Sequence, residues 1–163
     1  MFDCQPKSDS TTLMTIGYEG ANLPDFIETL KTSGVKLLID IRELPLSRKK
    51  GFSKNALREA VESAGIGYRH YRQLGDPKPG RDAAKSGDIE TFRHIFGEHM
   101  QQPETRDTIE SLVPVVSEGG VCLLCFERCH RECHRAIVAS ELSKMAEVRL
   151  DHIGVRSGIA KQD

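Results

Sequence analysis

Four of the five cysteines in this chain, Cys122, Cys125, Cys129 and Cys133, fall within VCLLCFERCHRECHRAIVASEL at residues 121–142, together with His130 and His134. Arg128, Arg131 and Arg135 are threaded among them. Cations beside a thiol favour thiolate, the form of cysteine that attacks electrophiles and ligates metals. An apolar run enters the cluster and an amphipathic pattern leaves it. The chemistry is therefore expected at a strand-to-helix turn, where α/β proteins commonly carry it. A helix beginning at Cys133 would set that thiol at the positive helix end, beside His134 and Arg135.

The cluster allows three readings. Cys133 is reactive, or it recognises an anion with His134 and Arg135. Alternatively Cys125, Cys129, Cys133, His130 and His134 supply metal ligands at four-residue spacings, a mixture that suits zinc and leaves iron open. No second CxxC-type pair stands elsewhere, so no cofactor is assigned. In the third, structural reading, Cys122 packs as a small hydrophobe and Cys129 is an ordinary loop residue. Cys125 to Arg131 and Cys129 to Arg135 also have the C-x5-R spacing of cysteine phosphatases. The intervening FERCH and HRECH each carry a glutamate that would repel phosphate, so the match is weak.

A second group of candidates lies upstream. Arg42, Arg48, Lys49, Lys50 and Lys54 surround Gly51 just ahead of an expected helix start. Arginine forks and helix-start amides suit phosphate or carboxylate oxygens; a solvated basic loop is the plainer alternative. Asp40 is either a general base or the ion-pair partner of Arg42.

The elements that must position these groups follow from the apolar pattern. Strands are expected at 13–18, 35–41, 66–71, 119–126 and 148–153. Helices follow Asn22, Ser53, Asp88 and Pro103, with a last one over 133–147. The segment 74–88, rich in Gly, Pro, Asp and Lys, reads as a long loop. Alternating strands and helices predict a single-domain α/β fold, a mostly parallel sheet flanked by helices. Residues 1–12 form a tail, 13–153 the domain and 154–163 a loose C-terminal tail. All parallel strands deliver their C-terminal ends to one edge, so Tyr18, Glu19, Asp40, Arg42, His70, Cys125 and Glu127 should converge there.

Composition narrows the function classes. With 163 residues, 38% hydrophobic and 29% charged, the chain reads as one soluble globular domain. A formal net charge of −1 argues against wholesale coating of DNA or a membrane, although a local basic patch is compatible with it. Tryptophan is absent, which gives little support to a base-stacking platform. No apolar run approaches the roughly 20 residues that span a bilayer. The N-terminal MFDCQPKSDSTT does not resemble a secretory signal, and the clustered cysteines are not a disulfide framework. A reducing cytoplasmic setting and no membrane partner are expected. The oligomeric state is not legible.

The succession TIGYEG, IDIRELPLSRKKGFSK, GIGYRHYRQLGDP, LLCFE and CHR resembles the domain of unknown function 488 family, from about Thr15 to about Leu142. The resemblance implies a compact α/β domain and no particular reaction. Its pattern maps onto Gly17, Tyr18, Asp40, Arg42, Pro45, Ser47, Arg48, Tyr68, Leu74, Gly75, Cys125, Glu127, Cys133, His134 and Arg135. Cys129 and His130 depart from it as extras. A fold-level similarity to rhodanese-like domains, through LLIDIRE and a later strand ending in cysteine, would make Cys125 a persulfide-forming nucleophile.

The leading expectation is binding of a phosphate-bearing ligand, a nucleotide or nucleic acid among them, at the C-terminal edge of the sheet. Tyr18, Arg42, Ser47, Arg48 and Arg135 would bind it, with Arg42, Arg48 and Arg135 as anion clamps. Cys133, His134, Glu127 and Asp40 would carry any chemistry. The alternatives are a thiol enzyme of sulfur transfer or redox type, using Cys133 or Cys125, and a Cys/His metal-binding module.

Overall fold

The computed structural model describes residues 11–129 and 133–161. His130 and Arg131, two members of the cluster, lie outside the described residues. Five strands, β1 (Thr12–Gly17), β2 (Leu37–Asp40), β3 (Gly67–His70), β4 (Val121–Cys125) and β5 (Arg149–His152), pair in the order β3-β2-β4-β1-β5. Every pairing is parallel. Six α-helices among the described residues flank the sheet: α1 (Leu23–Thr32), α2 (Lys54–Ser63), α3 (Lys78–Lys85), α4 (Ile89–Met100), α5 (Pro103–Ser117) and α6 (Arg135–Ala146).

The chain steps from β1 past β4 to β2 and β3, then reverses through β4 to β5. Right-handed crossovers place helices on opposite faces when the direction reverses. The core divides accordingly. Phe26 and Leu30 of α1 and Leu57 and Val61 of α2 pack with Ile16, Leu38, Cys122 and Leu124. Phe96 of α4, Leu112 of α5 and Leu142 of α6 pack with Leu13, Ile39 and Leu123 on the other face. Strand alternation supplies both sets, which is why the central strands read as continuous apolar runs. Cys122 is fully buried in the first cluster, the small-hydrophobe role expected of it.

Side-chain caps start two of these helices. Asn22 Oδ1 accepts from Asp25 N at 2.8 Å, and Asp88 Oδ1 from Thr91 N at 3.1 Å. Ser53 occupies the cap position of α2 but makes no cap bond. Its hydroxyl instead donates to the Ser47 carbonyl at 3.2 Å and accepts from Ser47 N at 3.0 Å, fastening the basic loop to the helix. The segment 74–88 is not one long loop, because α3 occupies its middle. Pro79 in the first turn is compatible with a helix start, and Gly80 is tolerated because the Asp76 carboxyl fills the space of a β-carbon. The expected loose tail is also held: Asp25 accepts from Gly158 N at 2.8 Å and Ala160 N at 3.0 Å. No helix among the described residues is long and apolar enough to cross a membrane.

Candidate active site

The sheet's direction reverses at β4, and the segments leaving β1 and β2 turn to the face opposite the one taken by α6. A cleft of roughly 1070 Å³ opens at this C-terminal edge. Of the expected site residues, Tyr18, Arg42, Ser47, Arg48, Glu127, Cys133 and His134 line it together with Cys125. Leu44, Leu46 and Phe126 add exposed apolar surface, and Lys49 and Lys85 add positive charge.

Two buried arginines organise this edge. Arg42 donates from Nε to Asp40 Oδ1 at 2.8 Å, from Nη2 to Asp40 Oδ2 at 2.7 Å, and from Nη1 to Tyr18 Oη at 3.1 Å and the Phe52 carbonyl at 2.7 Å. Tyr68 also donates to the Asp40 carboxylate. Asp40 is thus the ion-pair partner of Arg42. Burial opposes the guanidinium charge, but Asp40 outweighs it and the Arg42 pKa lies above its ordinary value. The Tyr68 phenol is pushed up by burial and by the same carboxylate. Phe52, gripped through its carbonyl, stacks on Tyr18 with ring centroids 4.5 Å apart. The basic loop is therefore anchored from inside.

Arg135, 1% exposed, performs the matching task for the cysteine loop. Its Nε donates to Thr15 Oγ1 at 3.0 Å, Nη2 to the Arg128 carbonyl at 3.2 Å, and Nη1 to Cys125 Sγ at 3.1 Å and to the Glu127 carbonyl. Burial lowers its pKa. Each guanidinium thus commits four of its five N–H groups to protein acceptors. Arg42 and Arg135 hold the walls of the cleft, and of the three expected anion clamps only Arg48 is solvent-exposed.

The thiols meet at the cleft floor. Cys125 and Cys133 are joined through their sulfurs. Helix α6 begins at Arg135, not at Cys133, so the Cys133 sulfur lies just ahead of the helix and accepts from Arg135 N at 3.4 Å. His134 Nε2 is 2.8 Å from the Ile41 carbonyl. A carbonyl only accepts, so Nε2 carries the proton and Nδ1 keeps its lone pair, 3.5 Å from the Cys133 sulfur. Burial lowers the His134 pKa from 6.5 to about 4, so the ring is neutral near neutrality. Cys129 is exposed, as expected of a loop residue. Cys125, Glu127 and Cys133 place their ligand atoms within 4.8 Å of one another, a group that could hold a metal ion.

The family model described as "Domain of unknown function DUF488" matches residues 22–142. The chain belongs to the DUF488 family. No curated protein and no solved structure matches it, and none of these comparisons supports the rhodanese-like similarity.

One functional candidate of this DUF488 protein was missed by sequence reasoning. Asp76, 4% exposed, is among the residues that line the cleft. Its signal in the chain is the Gly-Asp-Pro of residues 75–77, after the third strand. Burial, with lesser help from Glu127 and Glu43 and against the pull of Arg81, raises its pKa from 3.8 to about 7.

Asp76 and His134 have opposite linkage. A raised folded-state pKa makes the Asp76 contribution complete below 3.8 and lost as pH rises through about 7. The lowered His134 value makes its contribution complete above 6.5 and lost as pH falls through about 4. Across the window they share, the two effects largely cancel. Asp76→Asn should remove one of them. Urea titrations are expected to show the variant more stable by about 2 kcal/mol near pH 7.5, and then losing stability below pH 6.5 more steeply than wild type. Identical pH dependence in both proteins would refute this assignment.

Proposed function

We propose that this DUF488 protein is a thiol-dependent redox enzyme, in which Cys125 and Cys133 form a dithiol that reduces an external disulfide. The meeting of the two sulfurs on the floor of a cleft carries this reading. Two neighbours favour thiolate there: the Arg135 guanidinium on Cys125 and the Arg135 N–H on Cys133 at the start of α6. A persulfide on either cysteine would be resolved by its neighbour, so disulfide closure is favoured over sulfur transfer.

In the reaction the Cys133 sulfur attacks one sulfur of the substrate disulfide, forming a mixed disulfide and releasing one thiol. Cys125 then attacks Cys133, forming the Cys125–Cys133 bond and releasing the second thiol. Two protein thiols are oxidised and one substrate disulfide is reduced to two thiols. Arg48, Lys49 and Lys85 at the mouth favour an anionic substrate. They are also what supports binding of a phosphate-bearing ligand, since Arg42 and Arg135 are committed internally.

Alkylation of the reduced protein against pH, with peptide mapping, tests the reading. Cys133 is expected to react with an inflection well below the ordinary thiol value of about 8.5. Exposure to an alkyl disulfide should yield a peptide linked through Cys125 and Cys133, and Cys133→Ser should yield none. Ordinary titration of both thiols together with no linked peptide would overturn the proposal.

A zinc or iron site is the second reading, favoured by the convergence of Cys125, Glu127 and Cys133. Elemental analysis of untagged protein purified without chelators separates the two. Near-stoichiometric metal that is lost in Glu127→Ala would favour it.

A further inference from the structure

The mouth of the cleft is more apolar and more basic than an exchange between sulfurs requires. Leu46, Leu44 and Phe126 are 72%, 54% and 44% exposed, the three most exposed large hydrophobic side chains among the described residues, and all three line this cleft. Apolar surface gathered in water at one place marks an interaction site. Arg48, Lys49 and Lys85 line the same cleft and form no ion pair among the described residues. Two of its carboxylates are engaged: Glu43 pairs with Arg81 and Arg72, and Glu19 accepts from Arg128 N at 3.0 Å. A ligand seated here meets positive charge and apolar surface together.

The loop that carries Leu44, Leu46 and Arg48 is fixed in advance. Arg42 grips the Phe52 carbonyl, Ser53 Oγ ties both backbone groups of Ser47, and Lys54 N donates to the Pro45 carbonyl at 2.8 Å. Exposure alternates along it, with Leu44, Leu46, Arg48 and Lys50 exposed and the residues between them half-buried. Pro45 and Ser47 thus spend their backbone groups on the protein. Leu46 stands between them, and its N–H and carbonyl have no hydrogen-bond partner among the described residues. An unpaired N–H and C=O on a fixed segment can pair with the backbone of another extended chain.

These features discriminate between occupants. A small anion would use the cations alone. Single-stranded nucleic acid would stack its bases on aromatic faces, whereas two of the three exposed apolar side chains are leucines. A polypeptide uses everything the mouth offers: carboxylates for the cations, apolar side chains for the leucines and Phe126, and backbone for Leu46.

We propose that the mouth docks an extended segment of a partner protein, acidic and apolar in alternation, and presents a disulfide of that segment to Cys133. The proposal names the substrate class of the dithiol reading and rests on that reading for the disulfide alone. Aspartates or glutamates of the partner meet Arg48, Lys49 and Lys85, and its apolar side chains cover Leu44, Leu46 and Phe126. The thiols would exchange with any disulfide that reached them, so the mouth supplies the choice of substrate.

Binding can be measured apart from the chemistry. A short fluorescent peptide alternates leucine with aspartate around a central serine; companion peptides carry lysine for aspartate, or serine for leucine. Affinities are read by fluorescence anisotropy for wild type, Leu46→Ser and Arg48→Glu. Both side chains are exposed and belong to neither core cluster, so both variants should fold. Wild type should bind the aspartate–leucine peptide about tenfold more tightly than either companion, and less tightly as salt rises. Leu46→Ser should weaken that binding about fivefold. Arg48→Glu should narrow the preference for aspartate over lysine about tenfold. With a disulfide-bonded cysteine in place of the central serine, the same ranking should appear in the rate at which the reduced protein closes its Cys125–Cys133 bond.

Equal affinity for the aspartate and lysine peptides, or affinities untouched by both variants, would overturn the proposal. So would tighter binding of a single-stranded oligonucleotide that Leu46→Ser weakens, which would give the mouth to nucleic acid. Self-association of the free protein in sedimentation, abolished by Leu46→Ser, would give it to a second copy and overturn the proposal as well. Closure of the Cys125–Cys133 bond at one rate with every peptide disulfide overturns the docking and leaves the dithiol reading standing. Ranked binding of the serine peptides with no such bond from their disulfide forms overturns the dithiol reading and supports the docking surface.

Discussion

Asp40→Ala should destabilise the protein by about 3–5 kcal/mol, the range for removing one partner of a buried ion pair. The carboxylate is wholly buried. It receives the Arg42 side chain through Nε and Nη2, Arg42 N at 3.1 Å, and the Tyr68 hydroxyl. Alanine would leave a guanidinium charge without its counter-charge in the interior, and would strip a phenol and an amide of their acceptor. The loss would spread, because the same guanidinium grips the Phe52 carbonyl and Tyr18 and so anchors the loop from 42 to 52. Asp40→Asn keeps two polar atoms and should cost less. Urea unfolding of Asp40→Ala, Arg42→Ala and the double variant checks the argument. The double variant should fall short of additivity by more than about 1 kcal/mol, since the second deletion removes the charge orphaned by the first. Strict additivity would mean that the two side chains do not stabilise each other.

Gly17→Ala should cost about 3 kcal/mol, near the top of the range for overfilling a packed site, and should disable the thiol site at the same time. Gly17 ends β1 in register with Cys125, and the Glu127 carbonyl and the Arg135 guanidinium pack directly on its α-carbon. A β-carbon would overlap that carbonyl and lie 2.6 Å from Arg135 Nη1. Neither neighbour can yield cheaply. The carbonyl is backbone, and the guanidinium is tied to Thr15, Cys125 and Arg128. The loop must move instead, carrying Arg135 away from the Cys125 sulfur. Cys125 alkylation measured against pH should therefore shift upward in the variant, alongside a lower urea midpoint. Unchanged stability and unchanged thiol reactivity would show that the close approach does not matter.

The layout of the sheet was largely legible from the chain. Apolar runs such as LLID and VCLLC mark strands buried on both faces, and Asn22 and Asp88 mark helix starts through their own backbone bonds. Helix α3 was not legible. Its Lys-Pro-Gly opening carries loop-forming residues, and the contact that makes Gly80 acceptable comes from the Asp76 side chain folding back on it. Ser53 misled for a related reason: a hydroxyl at a cap position has several acceptors within reach, and here Ser47 wins. The convergence of Tyr18, Glu19, Arg42, Cys125 and Glu127 on one edge followed from parallel topology.

What the chain alone could not reveal is how each charge at that edge is used. Arg42, Arg48 and Arg135 look alike as cations in a sequence, yet two are buried and committed and one faces solvent. Asp76 looks like any loop aspartate, yet its Oδ1 is buried without a hydrogen-bond partner among the described residues. The cysteine cluster, the order of elements and the edge where they meet are set by residue type and apolar period, which are local properties of the chain. The state of each ionisable group depends on burial and on partners brought together from far apart, such as Thr15 and Arg135, 120 residues distant in the chain. Only the folded chain decides which charges are spent on structure and which remain for chemistry.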